Sequence, residues 1–452
     1  MSDLPSYSDY KESGVEWLGE IPSHWLLIKN KFILNFSKGL TITKENLIDE
    51  GIPCVNYGEV HSKFGFEVDP NKHSLKCVPE IYLNDFPNAL LKKGDFIFAD
   101  TSEDIKGSGN FTYLNSELPT FAGYHTIIAK INNINYPRYL AYVFDCDSYR
   151  NQIRAQVKGI KVFSITQFML KNSIVWLPPL EEQKAITRYL DKKLAQIDTL
   201  ITKQQALLEK LAEQRIALIS NAVTKGLNPD VEMKESGVEW LGKIPLDWTI
   251  KRLKFLLVGK LKYGANESAE SEDLGQPRYI RITDIDEKGN LRDETFKSLE
   301  IEKAQEYLLK DLDILLARSG ATVGKSYLYH KNSVGSACYA GYLIRARLNF
   351  HKFDAEFVNY FLQSKNYWDW INSINIQSTI QNVSAEKYSD LVLAIPPLLL
   401  QKQIVQILKA EDLEFEITTN KGNELITLLK EYRSTLITQA VTGKIDVRNL
   451  AN

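Results

Sequence analysis

The stretch that most invites a chemical reading is Gly320-Ala-Thr-Val-Gly324-Lys325-Ser326, because glycines followed by lysine and a hydroxyl are what a phosphate-wrapping loop uses. That loop needs four residues between its glycines, so that backbone N–H groups surround the phosphates before a helix begins. Here there are three, and Tyr327-Leu328-Tyr329 reads as a strand. Gly107-Ser-Gly109 lacks the third glycine of a dinucleotide or S-adenosylmethionine loop. Pro229-Asp230-Val-Glu232-Met-Lys234 has the residue types of a nuclease signature, but they are compressed into one linker, and chance coincidence is the plainer account. No Asn-Pro-Pro-Tyr or Asp-Pro-Pro-Tyr segment of an amino-methyltransferase occurs. Cys54, Cys77, Cys146 and Cys338 are scattered, as are the histidines, so neither a zinc site nor a disulfide framework is indicated. No catalytic residue, cofactor site or metal site is expected in this chain.

Composition narrows the classes further. A length of 452 residues implies two or more domains, and no apolar run reaches the eighteen or so residues of a membrane span. The start, Met1-Ser2-Asp3-Leu4-Pro5, has neither a basic nor an apolar segment, so a cytoplasmic location is expected. Net charge is −2, whereas a protein that binds nucleic acid unaided is usually visibly basic.

The elements that would position any site are clearer than the site itself. From Pro178-Pro179-Leu180-Glu181-Glu182-Gln183 to Ala222-Val223-Thr224 there is no glycine or internal proline. Ile186, Leu190, Leu194, Ile197, Ile201, Leu208, Leu211 and Leu218 recur there at spacings of three and four, with Gln204 and Arg215 as polar steps. A helix of this extent is roughly 65 Å long and needs a partner helix. Pro396-Pro397-Leu398 opens that partner. Ile404, Leu408, Phe415, Leu429 and Leu436 each stand 218 residues after a seam residue of the first helix. Asp412, Thr419 and Gly422 interrupt the second seam, which predicts a frayed or bent centre.

The duplication extends beyond the helices. Residues 11–25 return as residues 234–248 with twelve of fifteen positions identical. Gly51-Ile-Pro53, Asp95-Phe-Ile-Phe-Ala99 and Ala122-Gly-Tyr124 are answered by Gly275-Gln-Pro277, Asp313-Ile-Leu-Leu-Ala317 and Ala340-Gly-Tyr342. Short apolar runs between Gly, Asn and Asp turns make each half mixed α/β (α+β), with helical spacing before each double proline. Two like modules joined by two long antiparallel coiled-coil helices, related by an internal pseudo-two-fold, would suit duplex DNA with two half-sites at a set distance.

The repeated motif Lys-Glu-Ser-Gly-Val-Glu-Trp-Leu-Gly, the Pro-Pro-Leu-Glu-Glu-Gln helix start and the closing Ala-Val-Thr-Gly-Lys resemble the specificity subunit of type I restriction-modification systems, over nearly the whole chain. The resemblance implies target recognition domains at 1–177 and 227–395 and spacer helices at 178–226 and 396–452, the last with the tail. It implies a non-catalytic chain that reads an asymmetric, bipartite double-stranded DNA target. Its partners would be two methyltransferase subunits and restriction (translocase) subunits, to which S-adenosylmethionine, ATP and Mg belong, with no membrane partner.

Candidate base readers are polar residues in loops where the halves differ, since paired hydrogen bonds distinguish bases in the major groove. In the first half these are Asn56, Tyr57, Lys63, Thr101, Ser102, Lys106, Ser108, Lys158 and Lys161. In the second they are Arg278, Arg281, Arg318, Ser319, Thr322, Lys325, Gln377, Thr379 and Gln381. For each, the plainer reading is a solvated or fold-stabilising side chain. The alternative for the whole chain is a coiled-coil scaffold whose two domains bind proteins.

Overall fold

A computed structural model describes residues 4–132, 135–159, 161–286, 289–375 and 382–450. Packing divides the chain into Met1–Lys203 with Leu425–Asn452, and Gln204–Glu424. Each unit therefore takes one globular module and one end of both long helices.

The first unit is built on β1 (Leu34–Lys38), β2 (Phe66–Val68), β3 (Phe96–Ala99), β4 (Phe111–Leu114) and β5 (Thr126–Ile131), in the order β1-β5-β3-β4-β2. Neighbours are antiparallel except β4 and β2. Side chains alternate across a strand, and both faces of β3 are covered. Phe96 and Phe98 join a core with the helix Pro137–Asp145, while Ile97 and Ala99 join another with Val55 and Phe121. This double burial is why Phe-Ile-Phe-Ala is apolar throughout instead of alternating.

The second unit repeats the frame with β6 (Lys262–Tyr263), β7 (Ile314–Ala317), β8 (Ser326–Leu328) and β9 (Leu343–Ala346), ordered β6-β9-β7-β8 and antiparallel throughout. The neighbours match β1-β5-β3-β4. Ile314 and Leu316 face one core, Leu315 and Ala317 the other. The repeated opening motif is a short hairpin in both halves, Tyr10–Glu12 with Glu20–Pro22 and Met233–Glu235 with Lys243–Pro245. Strands Ile174–Leu177 and Val392–Ile395 then deliver the chain to the double prolines.

Helices α1 (Leu180–Lys225) and α2 (Leu398–Val441) follow. In the first unit Ile186, Leu190, Leu194 and Ile197, near the start of α1, share a core with Leu436 and Ala440 near the end of α2, flanked by the partly buried Ile201 and Leu429. In the second unit Leu218, Ile219 and Ala222 near the end of α1 meet Ile404 and Leu408 near the start of α2. The helices thus run antiparallel within each unit. In the second unit Leu208, Leu211 and Phe415 are only half-buried.

The centre of α2 is not frayed: the helix is continuous from Leu398 to Val441. Its odd residues are matched from α1: Asp412 takes an ion pair from Arg215, and a Cβ on Gly422 would lie 2.7 Å from Leu208 Cδ2 and 2.8 Å from Gln204 Nε2. Small faces large and acid faces base, so residues that weaken a lone amphipathic stripe are accommodated by the partner.

Candidate nucleic-acid interface

In the first unit the chain leaving β1, the residue after β3, the turn before β5 and residues 165–168 line an open cleft of about 670 Å³. Its polar side chains include Lys38, Thr41, Asp100, Tyr124, His125 and Gln167. His125 holds a positive φ of 53°, a strained conformation for a non-glycine residue. The turn is shaped by close approach: a Cβ on Gly39 would lie 2.2 Å from the Gly123 carbonyl oxygen, and one on Gly264 would lie 2.3 Å from that of Ala340. Only glycine allows these backbones to abut, and both halves use it. Burial pushes the Tyr124 and Tyr57 phenols above their ordinary range.

A second cavity of about 440 Å³ lies in the same unit, where Lys106, Arg150, Arg154, Lys430 and Arg433 outnumber Asp104, Asp145 and Asp147. Arg150 is held by Asp145 and Asn110, Arg154 by Asp147 and the Lys106 carbonyl, and Arg433 by Asp198, so three of these five cations are already paired within the fold.

The proposed readers separate by burial. Lys63, Lys106, Lys158 and Lys161 are exposed, and Tyr57, Thr101, Arg318, Ser319, Thr322 and Lys325 are half-buried. Asn56, Ser102, Ser108 and Arg278 are interior, which corrects the loop assignment made from sequence. Asn56 donates to the Cys54 carbonyl, Ser102 to that of Asp104, Ser108 also to Asp104, and Arg278 to that of Arg292. Those donors serve the fold. Arg281 is half-exposed but its guanidinium is bound by the Asp284 carboxylate, with an Nη2–Oδ1 distance of 2.7 Å. Gln377, Thr379 and Gln381 lie outside the described residues. Sequence reasoning did not single out Lys38, Thr41, Asp100, His125 or Gln167, although the repeated Ala-Gly-Tyr turn pointed at their location.

The loop at 320–326 is not a phosphate loop. Gly320–Thr322 forms a single 3-10 turn and Ser326 begins strand β8, so no helix N-terminus follows to receive a phosphate.

The duplicated frame agrees with an independent comparison: the family model for the type I restriction modification DNA specificity domain matches residues 22–210 and again 245–427. The chain belongs to this family. As a specificity-domain protein it is 21% identical over 439 residues to the EcoKI specificity subunit of Escherichia coli K12, covering 94% of this chain and 90% of the relative. It is 25% identical over 447 residues to the putative MjaX specificity subunit of Methanocaldococcus jannaschii, covering 97% and 98%. A chain from a solved structure concerned with complex assembly and conformational transition of the type I R-M system has the same fold, with a TM-score of 0.70 at 14% identity over 93% of this chain and 98% of that one. The HsdS subunit from Thermoanaerobacter tengcongensis gives a TM-score of 0.53 at 15% identity over 96% and 100%. Each specificity-domain match includes one globular sheet and part of one long helix. Among the described residues, no helix is long and apolar enough to cross a membrane.

Proposed function

We propose that this chain selects the DNA target of a type I restriction-modification complex, reading an asymmetric bipartite duplex with two modules and holding two methyltransferase subunits through α1 and α2. The observation that carries this reading is one strand-and-helix frame built twice with unlike side chains in its loops. The recognition domains are 1–177 and 227–395, and the spacer helices 178–226 and 396–452. Exposed Lys63, Lys106, Lys158 and Lys161 face one half-site, and Arg318, Ser319, Thr322 and Lys325 the other.

Chemistry belongs to the partners: a methyltransferase acting on an adenine extruded from the stack with S-adenosylmethionine, and restriction subunits using ATP and Mg. This division accounts for the net charge of −2, because partners that grip the phosphates supply most counterion release. The chain alone is then a weak, weakly salt-sensitive DNA binder. Methylome sequencing of a host expressing the chain with its cognate methyltransferase tests the reading. Two unlike half-sites at one fixed separation are expected, and a symmetric motif or none at all would overturn it.

A further inference from the structure

Asp100 and Arg318 occupy the same seat in the two modules. Each is the first residue after the central strand, β3 or β7. The Asp100 amide donates to the His125 carbonyl at 3.1 Å, and the Asp100 carbonyl accepts from the Ile165 amide at 2.8 Å. The Arg318 amide donates to the Tyr342 carbonyl at 3.0 Å, and its carbonyl accepts from the Val383 amide at 2.8 Å. Two backbone hydrogen bonds therefore fix both positions alike, while the side chains carry opposite charge.

Neither side chain is engaged by its own fold in the way its neighbours are. Asp100 lines the 670 Å³ cleft. Its Oδ1 is buried, makes no hydrogen bond among the described residues and lies 3.3 Å from His125 Nδ1, while the side chain as a whole keeps about a third of its surface exposed, which leaves Oδ2 as the oxygen for an incoming donor. Arg318 lies over the Tyr263 ring, 4.7 Å from its centroid, a contact that orients the guanidinium without using its N–H groups. Arg281, by contrast, is neutralised by Asp284, and Arg278 is buried.

The geometry points to Asp100 and Arg318 as the paired specificity-determining residues of the two modules, Asp100 accepting from an exocyclic base amine and Arg318 donating to a guanine edge. This rests on the DNA-reading function proposed above. A carboxylate on a DNA-facing surface repels phosphate, so it does not serve backbone binding. It accepts hydrogen bonds only, and the donors that DNA offers in the major groove are the amino groups of cytosine and adenine. A guanidinium with free N–H groups matches guanine O6 and N7 as a bidentate pair. One structural seat thus presents an acceptor to one half-site and a donor fork to the other, which makes the target asymmetric by construction.

The test uses the chain assembled with its cognate methyltransferase. Methylome sequencing gives the motif, and competition among duplexes carrying single base-pair changes gives discrimination at each position. Asp100→Asn is expected to lose about ten- to a hundredfold of discrimination at one base pair of one half-site, and Arg318→Lys the same at one base pair of the other. Asp100→Ser and Arg318→Ala repeat the measurement should either first variant fail to assemble. Unchanged discrimination at every position, a loss spread evenly over the site, or both variants acting on one half-site would overturn the assignment. A parent complex without a bipartite motif would instead sink the proposed function, so the two failures are told apart.

Discussion

Arg215 on α1 and Asp412 on α2 meet through two hydrogen bonds, Nε to Oδ1 at 2.7 Å and Nη2 to Oδ2 at 3.1 Å. The globular module joins them: Tyr360 donates to Asp412 Oδ2 at 2.9 Å, and Gln363 Oε1 accepts from Arg215 Nη2 at 3.1 Å. The cluster ties both helices to the helix Ala355–Phe361 and the residues that follow it. Asp191 plays a similar part in the first unit, accepting from Tyr142 and Arg138.

Because the Arg215–Asp412 pair is only partly solvated, removing one member leaves the other charge without its partner. Asp412→Ala should lower the stability of the second unit by about 1–3 kcal/mol. Arg215→Ala should cost a similar amount, and the double variant less than the sum. Chemical denaturation of the full chain measures all three, and strict additivity would show that the contact is not energetically coupled.

A second cluster occurs in both units. Gln183 is 2% exposed, accepts from the Tyr136 amide at 3.0 Å and donates to the Pro178 carbonyl at 2.9 Å. Gln401 is 1% exposed and does the same with the Asp354 amide and the Pro396 carbonyl, each at 2.8 Å. One amide side chain joins the double proline to the start of the helix Pro137–Asp145 in the first unit and Ala355–Phe361 in the second, satisfying buried groups that no ladder reaches. Gln183→Ala and Gln401→Ala should each cost roughly 2 kcal/mol by leaving a buried amide and carbonyl unpaired. Since the two sites share no partner, their effects should add in thermal or denaturant unfolding, and a cost near zero for either would contradict the role given to it.

The tail of the chain closes the first unit. The Asp446 amide donates to the Pro5 carbonyl at 2.7 Å, and Arg448 lies over the Tyr7 ring at 4.9 Å. Hydrogen bonding to the Arg448 guanidinium holds the Asp446 carboxyl below its usual range. A lowered folded-state pKa stabilises above the ordinary aspartate value of about 3.9, and that contribution disappears as pH falls through the depressed value. Protection of the 444–450 amides from hydrogen exchange, relative to their intrinsic rates at each pH, should therefore fall below about pH 4. In Asp446→Asn it should be low already at neutral pH and lose this acid dependence, and a variant that kept the parent's profile would rule out the carboxylate.

The four cysteines offer a simpler check. Burial pushes the Cys54, Cys146 and Cys338 thiols up to about 12, and Cys77 is also raised. A thiol reagent at pH 8 should label the native chain slowly and all four cysteines after unfolding. Rapid labelling of the folded chain would show that one of these interiors opens.

Much of this architecture was legible before any coordinates. The duplication of residues 11–25 as 234–248, the double prolines before each long helix and the apolar runs at 96–99 and 314–317 are local or periodic signals that a chain must carry to form hairpins, helix starts and buried strands. The reading surface was less legible, because whether a polar side chain is free depends on what lies opposite it. Arg278 and Arg318 look alike in the sequence, yet the first is buried against the Arg292 carbonyl and the second has its N–H groups clear of any described acceptor. Asn56 looked like a loop reader and is packed against Gly123.

The sequence alone determined that one frame is present twice and that each copy ends in a long amphipathic helix, since repetition and period are properties of order along the chain. Tertiary structure alone decided that Asp412 finds Arg215, that Gly422 admits Leu208, and that Asp100 and Arg318 share one seat with opposite charge. Those outcomes depend on residues far apart in sequence being brought within a few ångströms, where pairing and burial settle which groups are used and which remain open.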